Sequence, residues 1–312
     1  MSFSGWATTF AGLPVVNVEP DTELRSVDGP VAWRVCLWEY DGGTEFGSNA
    51  AFHDALEDFL DEVDAASVTA LVVGTWGYAA FDDAPIAQLC AAADRLTSLK
   101  ALFLGDITAD ECEVSWIRQG DLTPLLAAYP NLRILRVRGT GGLSLGRVRH
   151  TGLRELALEG GGLPAEMLRA VIDADLPGLE RLELWLGTPR YGGDVGVADL
   201  GPLLDGARFP ALRALGLRNA EIADRVAGAV DGAPLVARLE ELDLSLGVMG
   251  DEGGEALLSG RPLTHLRRLD LRRNYLSERM AARLVAELPG VEVDVSDQQV
   301  EGEYGRYTAV SE

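Results

Sequence analysis

The chain has 312 residues, of which 47% are hydrophobic, and its formal net charge is −22 at pH 7. The hydrophobic fraction allows a sizeable core and excludes a wholly disordered chain. The acidic excess opposes binding to nucleic acid or to anionic membranes, since both attract basic protein surfaces.

The start of the chain and its cysteines indicate a cytoplasmic protein. Residues 1–16, MSFSGWATTFAGLPVV, lack the basic region of a secretory signal, and no run approaches the roughly 18 apolar residues of a membrane span. Cys36, Cys90 and Cys112 are widely spaced, so we expect reduced thiols rather than disulfides or a zinc site. We expect no metal and no cofactor.

Residues 1–67 are predicted to form an N-terminal cap with one strand and one helix. VAWRVCLWEY (Val31–Tyr40) is typical of a strand, and AAFHDALEDFLDEVD (Ala50–Asp64) has helical spacing with Leu56, Phe59, Leu60 and Val63 inward. Ala32, Val35 and Leu37 echo the spacing of a hexamer that repeats in the rest of the chain.

From residue 68 this six-residue pattern recurs, with an aliphatic residue at the first, fourth and sixth positions. The aliphatic fourth and sixth positions alternate with polar or small residues, and this alternation predicts a strand with one buried face. Nine copies succeed one another, 21 to 33 residues apart: VTALVV at Val68, LKALFL at Leu99, LRILRV at Leu132, LRELAL at Leu153, LERLEL at Leu179, LRALGL at Leu212, LEELDL at Leu239, LRRLDL at Leu266 and LPGVEV at Leu288.

A turn and a segment with helical spacing come after the strands. The clearest helix is Ser277–Leu288, with Ser277 as N-cap and Met280, Leu284, Val285 and Leu288 as its apolar stripe. One strand and one helix cannot bury their apolar faces alone, but stacked repeats can. The pattern therefore predicts an α/β solenoid over residues 68–296, with a polar tail over residues 297–312.

The copy LRRLDLRRNYL at Leu266 resembles the leucine-rich-repeat family pattern LxxLxLxxNxL, with Asn274 at the asparagine position. The long, helix-containing repeats are most similar to the ribonuclease-inhibitor-like subclass. The resemblance implies a horseshoe with a curved parallel sheet on its concave face and helices on its convex face. It also implies that Asn274 bonds to neighbouring loop backbone. In most copies another residue takes the place of this asparagine, and we expect glycine turns instead of a continuous asparagine ladder. The residues at that place are Thr140, Gly161, Gly187, Ala220 and Gly247.

A second, narrower resemblance rests on the two ends of the chain. FAGLPVV near the start and VDVSDQ with GRYTAVSE near the end are similar to an uncharacterised bacterial leucine-rich-repeat family. Its genes lie beside genes for ATP-grasp and radical-SAM enzymes. This resemblance implies a non-catalytic companion of a modification or biosynthetic system.

The sequence contains no HExxH metal motif and no GxxxxGK[ST] phosphate loop. Its one GxSxG match, GLSLG at Gly142, lies in a repeat turn and not between a strand and a helix as a nucleophile elbow does. GTGGLSLG at Gly139 lacks the GxGxxG spacing and falls at a repeat turn. We therefore expect no enzyme, although a site on the rim loops built from Glu113, Tyr191 and Asp194 stays open as an alternative.

The third, fifth and seventh positions of each copy are predicted to form the concave face, and long insertions at Asp106–Asp121 and Gly187–Leu200 to form loops on its rim. Aromatic residues beside arginine are typical of binding hot spots. We expect a non-catalytic scaffold that binds a protein or peptide through this face and these loops. Two alternatives stay open: cross-strand pairing that only keeps the sheet soluble, and a structural or assembly role. The candidate partner-binding residues are Phe103, Trp116, Arg136, Arg138, Glu155, Arg181, Glu183, Trp185, Tyr191, Arg218 and Asp243.

Overall fold

The computed structural model describes residues 5–19, 24, 27, 29–37 and 49–310. The end of the predicted strand at Val31–Tyr40 and the last two residues of the tail lie outside these ranges. The chain divides into two compact units, Met1–Leu156 and Ala157–Glu312, here called the first and the second unit.

The strands of the described residues follow the order of the chain in one open sheet, which is parallel apart from the antiparallel pair β1–β2. They are β1 (Thr9–Phe10), β2 (Leu13–Asn17), β3 (Ala32–Val35), β4 (Ala70–Val73), β5 (Ala101–Leu104), β6 (Ile134–Arg138), β7 (Glu155–Glu159), β8 (Arg181–Gly187), β9 (Ala214–Ala220), β10 (Glu241–Asp243), β11 (Arg268–Asp270) and β12 (Glu292–Asp294).

Helices alternate with these strands, which confirms the predicted α/β solenoid class. They are α1 (Asn49–Glu62), α2 (Ile86–Ala91), α3 (Thr123–Ala128), α4 (Ala165–Asp173), α5 (Val197–Leu204), α6 (Ala223–Val230), α7 (Asp251–Ser259) and α8 (Glu278–Glu287). No helix among the described residues is long and apolar enough to cross a lipid bilayer.

The strand register confirms the repeat for most copies. Leu102 pairs with Leu71 and Leu135, and these fourth positions, like the sixth positions of the same copies, are buried. The third, fifth and seventh positions share the opposite face of each strand, here called the odd-position face.

At the two ends of the array the predicted register is wrong by two residues. Glu292 pairs with Arg268 and Asp294 with Asp270, so the last copy starts at Gly290 rather than Leu288. Trp33 pairs with Leu71, which places Ala32 and Arg34 on the odd-position face. A two-residue offset keeps the same alternation of faces, and the hexamer pattern alone does not distinguish the two registers.

Helix α8 forms as predicted, with one exception. The Ser277 hydroxyl accepts a 3.1 Å hydrogen bond from the Met280 amide and caps the helix. Met280, Leu284 and Leu288 are buried, whereas Val285 is exposed and does not belong to the packed stripe. The sequence predicts helix α1 from Ala50 to Asp64, and in the structure this helix runs from Asn49 to Glu62.

The turn after the strand takes a left-handed backbone conformation at the eighth position of several copies. The φ angle is 101° at Gly139, 54° at Asn219, 68° at Leu246 and 53° at Arg273. The residue after Arg273, Asn274, is buried and bonds to loop backbone at Leu244, Leu271 and Met249 with distances of 3.0 Å. These bonds confirm the role that the family resemblance implied for this asparagine.

In the second unit, the C-terminal tail lies against the loops at the ends of three strands. The Gln299 amide donates to the Asn274 carbonyl at 2.7 Å, and the Ala309 amide donates to the Leu246 carbonyl at 2.8 Å. Val310 is buried, and its amide donates to the side-chain oxygen of Asn219 at 2.9 Å. The tail is therefore bonded to the repeats at residues 299, 309 and 310, whereas Val300 and Tyr304 between them are exposed.

Candidate binding surface

In the first unit, the N-terminal segment covers the odd-position face of β3 to β5. Strand β2 pairs with β3, and β1 turns back antiparallel to β2. The Phe10 ring lies 5.7 Å from the Phe103 ring, in a buried cluster that Phe10 forms with odd-position residues of β3 to β5. That cluster comprises Phe10, Ala32, Ala70, Val72, Ala101 and Phe103.

A buried ion pair holds this segment in place. Arg34 and Asp106 are both buried and hydrogen-bonded to each other. Asp106 accepts the Ala7 amide at 3.1 and 3.3 Å, and Arg34 donates to the Ala7 carbonyl at 2.8 Å. The Trp6 ring lies 5.4 Å from the Arg34 guanidinium, and its indole donates to Glu111 at 2.8 Å. Both polar groups of the Ala7 backbone are thus satisfied by charged side chains, as buried backbone requires.

In the second unit, the odd-position face carries a grid of charges. The strand register places Arg181, Ala214, Glu241, Arg268 and Glu292 in one row across β8–β12. The next row is acidic apart from one glycine: Glu183, Gly216, Asp243, Asp270 and Asp294.

One end of this grid is a tightly bonded group. Arg218 donates to Glu183 at 2.5 Å and lies 3.3 Å from Asp243. Its guanidinium lies 5.2 Å from the Trp185 ring, whose indole donates to Glu183 at 2.7 Å. Arg218 is buried, and although burial lowers its pKa, the carboxylates of Glu183 and Asp243 outweigh burial and raise it. This arginine is held as a fixed cation.

At the other end of the grid, carboxylates and arginines share partners. Glu241 accepts from both Arg181, at 2.6 Å, and Arg267. Arg268 lies 3.0 Å from Glu292, 3.3 Å from Asp270 and 3.5 Å from Asp294. The guanidinium of Arg272 also lies 3.5 Å from the Asp270 carboxylate.

The pKa values follow from these contacts. Burial by itself would raise the pKa of Glu241, but hydrogen bonds from Arg181 and Arg267 outweigh it and lower that pKa. Burial raises the pKa of Asp243, and the neighbouring Asp270 adds to the rise against the opposing charge of Arg218. Two arginine hydrogen bonds thus outweigh burial at Glu241, whereas burial prevails at Asp243 despite the charge of Arg218.

A cavity of about 450 Å³ lies over this grid. Its floor includes the backbone and side chains of β8 to β11, and charged side chains surround it. They are Arg181, Glu183, Glu241, Asp243, Arg267, Arg268, Asp270, Arg272 and Glu292. Its size falls within the range of ligand-binding clefts, and its lining is unusually polar for a small-molecule site.

The predicted site residues separate into groups. Glu183, Trp185, Arg218 and Asp243 contact one another in the second unit, and Arg181 lies in the same grid. In the first unit, Arg136 and Arg138 lie 5.4 and 5.1 Å from the Phe103 ring.

The remaining three predicted residues are not part of these groups. Trp116 is exposed in the first insertion. Tyr191 is half-buried in the second insertion, with the Arg190 guanidinium 5.6 Å from its ring. Glu155 is half-buried on β7.

Two of the predicted hot-spot aromatics are not exposed, contrary to expectation. Phe103 lies under the N-terminal segment, and Trp185 packs against Arg218. The apolar odd positions of the early copies were a signal that something covers them, because a soluble protein seldom exposes so large an apolar patch. Arg267 lines the cavity from the second position of its copy, and no sequence signal marks it because only its long side chain reaches the face.

Comparison with known proteins supports the repeat architecture. A family model described as a leucine-rich repeat matches residues 239–258. A crystal structure of a Bacteroides fragilis protein from a structural genomics consortium is similar, with 32% identity and a TM-score of 0.75. The alignment covers 83% of this chain and 76% of that one. No match was found among curated proteins. The nine-copy repeat, the parallel sheet and this similarity together show that the chain belongs to the leucine-rich-repeat family.

Proposed function

We propose that this protein is a non-catalytic scaffold that binds a protein or peptide partner through the odd-position face of its second unit. The observation that carries the proposal is the contrast between the units. On β3 to β5 of the first unit, the odd-position face is covered by the N-terminal segment of the chain itself, whereas the second unit's face lines a cavity with charged side chains.

The chemistry of that face supports a binding role. Parallel strands hold the charged residues in fixed rows, so a partner would meet a rigid pattern of charges. The insertion after β8 adds the half-buried Tyr191 as a further candidate contact in the second unit.

The residues of the alternative rim-loop enzyme site have a structural explanation in part. The Asp194 carboxylate accepts the Ala165 amide at 2.6 Å, at the start of α4. This bond uses the carboxylate to satisfy a helix N-terminus, and this structural role favours the scaffold over catalysis at Asp194.

A pulldown with matched variants tests the proposal. The face variant is Arg181→Glu with Arg267→Glu, two exposed arginines that pair with Glu241. The control is Arg169→Glu with Arg208→Glu, two exposed arginines of the same unit that pair with Asp199 and Asp173. Both variants change the net charge equally and replace arginines whose own side chains are exposed.

We expect a partner that the native protein and the control capture and that the face variant loses, with all three proteins folded, as a cooperative melting transition shows. The partner must then bind the purified native protein directly. If the face variant captures the same partners as the control, the odd-position face of the second unit is not the binding surface.

A further inference from the structure

The last strand of the sheet has an open edge in the second unit. β12 pairs with β11 on one side, and no other described strand pairs with it. Backbone groups of Glu292, Asp294 and Ser296 bond to the neighbouring copy at 2.9, 2.8 and 3.0 Å. Successive residues of a parallel strand direct their backbone groups to opposite sides. The amide and the carbonyl of Val293 therefore point to the open edge.

The same edge leaves the end of the hydrophobic core partly uncovered. Val293 and Val295 take the fourth and sixth positions of the last copy and are only half-buried, whereas the equivalent Leu269 and Leu271 are fully buried. On α8, the last of the described helices, Val285 is 49% exposed. The end repeats of a solenoid need a polar outer face, and strand edges are often guarded by lysine or proline. Residues 291–296 contain neither lysine nor proline.

The charges on this edge disfavour a second copy of the chain as its occupant. Glu292, which is 68% exposed, and Asp294 lie on the odd-position face of β12. Two copies related by a two-fold axis would pair their β12 strands antiparallel. In registers centred on residues 292 to 294, a carboxylate of one copy would lie opposite a carboxylate of the other. Like charges directly opposite each other destabilise a strand pair.

The same charges favour a basic partner. Asp270, Glu292 and Asp294 form salt bridges with only two arginines, Arg268 and Arg272, so this group keeps one negative charge in excess. Arg268 donates to Oε1 of Glu292, and Oε2 of that carboxylate has no hydrogen-bond partner within the described part of the chain. A basic side chain on an added strand can therefore pair with Oε2 without displacing Arg268.

From these observations we infer that the open edge of β12 binds an extended segment of a partner protein as an added strand. The segment carries aliphatic residues at alternate positions, which extend the core over Val293 and Val295. Basic residues lie between them and pair with Glu292. This edge is a second interaction surface, and the inference does not depend on the role proposed for the odd-position face.

The length of the edge sets the length of a test peptide. Paired strands align residue against residue, so an octapeptide covers residues 291–296 with one residue to spare at each end. The probe is an acetylated and amidated peptide of alternating lysine and valine. NMR of the full chain with nitrogen-15-labelled valine measures binding. We expect shifts of the Val293 and Val295 amide signals, and slower hydrogen exchange of the Val293 amide, because that amide donates to the peptide.

Four further peptides separate the contributions to binding. One has serine in place of valine, one has glutamate in place of lysine, and two carry N-methyl groups on all valines or on all lysines. In a strand the valine amides point to one side and the lysine amides to the other, so only one of the methylated peptides loses its hydrogen bonds to β12. We expect that peptide and the serine peptide to bind at least about tenfold more weakly than the probe, and the glutamate peptide at least about threefold more weakly.

Two pairs of variants test the position of the site. Val293→Pro removes the outward amide, and Val300→Pro is its control because Val300 is exposed in the tail. Glu292→Lys reverses the charge of the edge, and Glu301→Lys is its control because both glutamates are exposed and pair with an arginine at 3.0 Å.

We expect Val293→Pro to weaken binding of the probe at least about tenfold. Glu292→Lys should lower the preference for the lysine peptide over the glutamate peptide at least about threefold, and both controls should match the native protein. A cooperative melting transition shows that each variant is folded. If Val293→Pro does not fold, the two methylated peptides test the same hydrogen bonds.

Several results would overturn the inference: no binding at millimolar concentration, equal binding of the two methylated peptides, or a serine peptide that binds as tightly as the probe. Unchanged binding to a folded Val293→Pro would overturn it as well. Light scattering tests the other occupant, because a native dimer that Val293→Pro converts to a monomer would assign the edge to a second copy. The pulldown with Arg181→Glu and Arg267→Glu does not involve this edge, so the inference and the proposed function can fail separately.

Discussion

Replacing Asp106 by alanine tests whether the N-terminal segment is held by the buried ion pair in the first unit. Asp106 pairs with the buried Arg34, accepts the Ala7 amide and lies 3.4 Å from Arg138. Without the carboxylate, the Arg34 charge stays buried with two neutral acceptors, the Asn17 side chain at 3.0 Å and the Ala7 carbonyl. Breaking a buried ion pair on one side costs about 3–5 kcal/mol.

This cost corresponds to a fall in melting temperature of roughly 6–20 °C, at about 2–4 °C per kcal/mol for a unit of this size. Tryptophan fluorescence during thermal and urea unfolding measures it, since five of the six tryptophans, at positions 6, 33, 38, 76 and 116, belong to the first unit.

Asp83→Ala is the control, because it breaks the exposed Asp83–Arg118 pair and should cost no more than about 1 kcal/mol. Adding Arg34→Met to Asp106→Ala should recover part of the loss, because it removes the unpaired charge. If Asp106→Ala costs no more than Asp83→Ala, the buried pair does not hold the segment.

Three further predictions concern other parts of the chain. Asn274→Ala removes three hydrogen bonds to loop backbone and should lower the free energy of unfolding by at least about 2 kcal/mol. Asn131→Ala on the surface should change that free energy by less than about 0.5 kcal/mol. Equal losses in the two variants would contradict the role of the Asn274 amide. Burial raises the pKa of the Cys36 thiol to about 12, so iodoacetamide at pH 8 should modify Cys36 only after unfolding, and mass spectrometry that finds it alkylated in the folded protein would refute its burial. The pKa of Glu241 is lower in the folded than in the unfolded chain, so its charge stabilises the fold above its ordinary pKa of 4.5. The stability lost in Glu241→Gln should therefore be largest near pH 7 and disappear as the pH falls through the lowered pKa. Urea unfolding across this range would contradict the reasoning if the difference in stability between the native protein and the variant stayed constant.

The repeat was predictable because its physical cause lies within each copy. Leucines at the fourth and sixth positions must be buried, and this requirement fixed the strand positions from LKALFL at Leu99 to LRRLDL at Leu266. At Leu288 and Ala32 the prediction missed by two residues, because register depends on the neighbouring strand and a shift of two leaves the pattern of faces unchanged.

The covering of the first unit's odd-position face was not predictable in the same way. Phe10 reaches Phe103 through contacts far apart in sequence, and nothing near either residue specifies the other. The apolar character of Ala70, Val72 and Ala101 indicated a need for cover but not its source. For Trp185, the neighbouring Arg218 explains burial, since both belong to one hydrogen-bonded group with Glu183.

The central claim is that the odd-position face of the second unit binds the partner. Its most direct test is the dissociation constant of a purified partner for the native protein, for Arg181→Glu with Arg267→Glu, and for Arg169→Glu with Arg208→Glu. We predict that the face variant binds at least about a hundredfold more weakly, as expected when two charged contacts are reversed, and that the control matches the native protein. Equal dissociation constants for the two variants would contradict the claim.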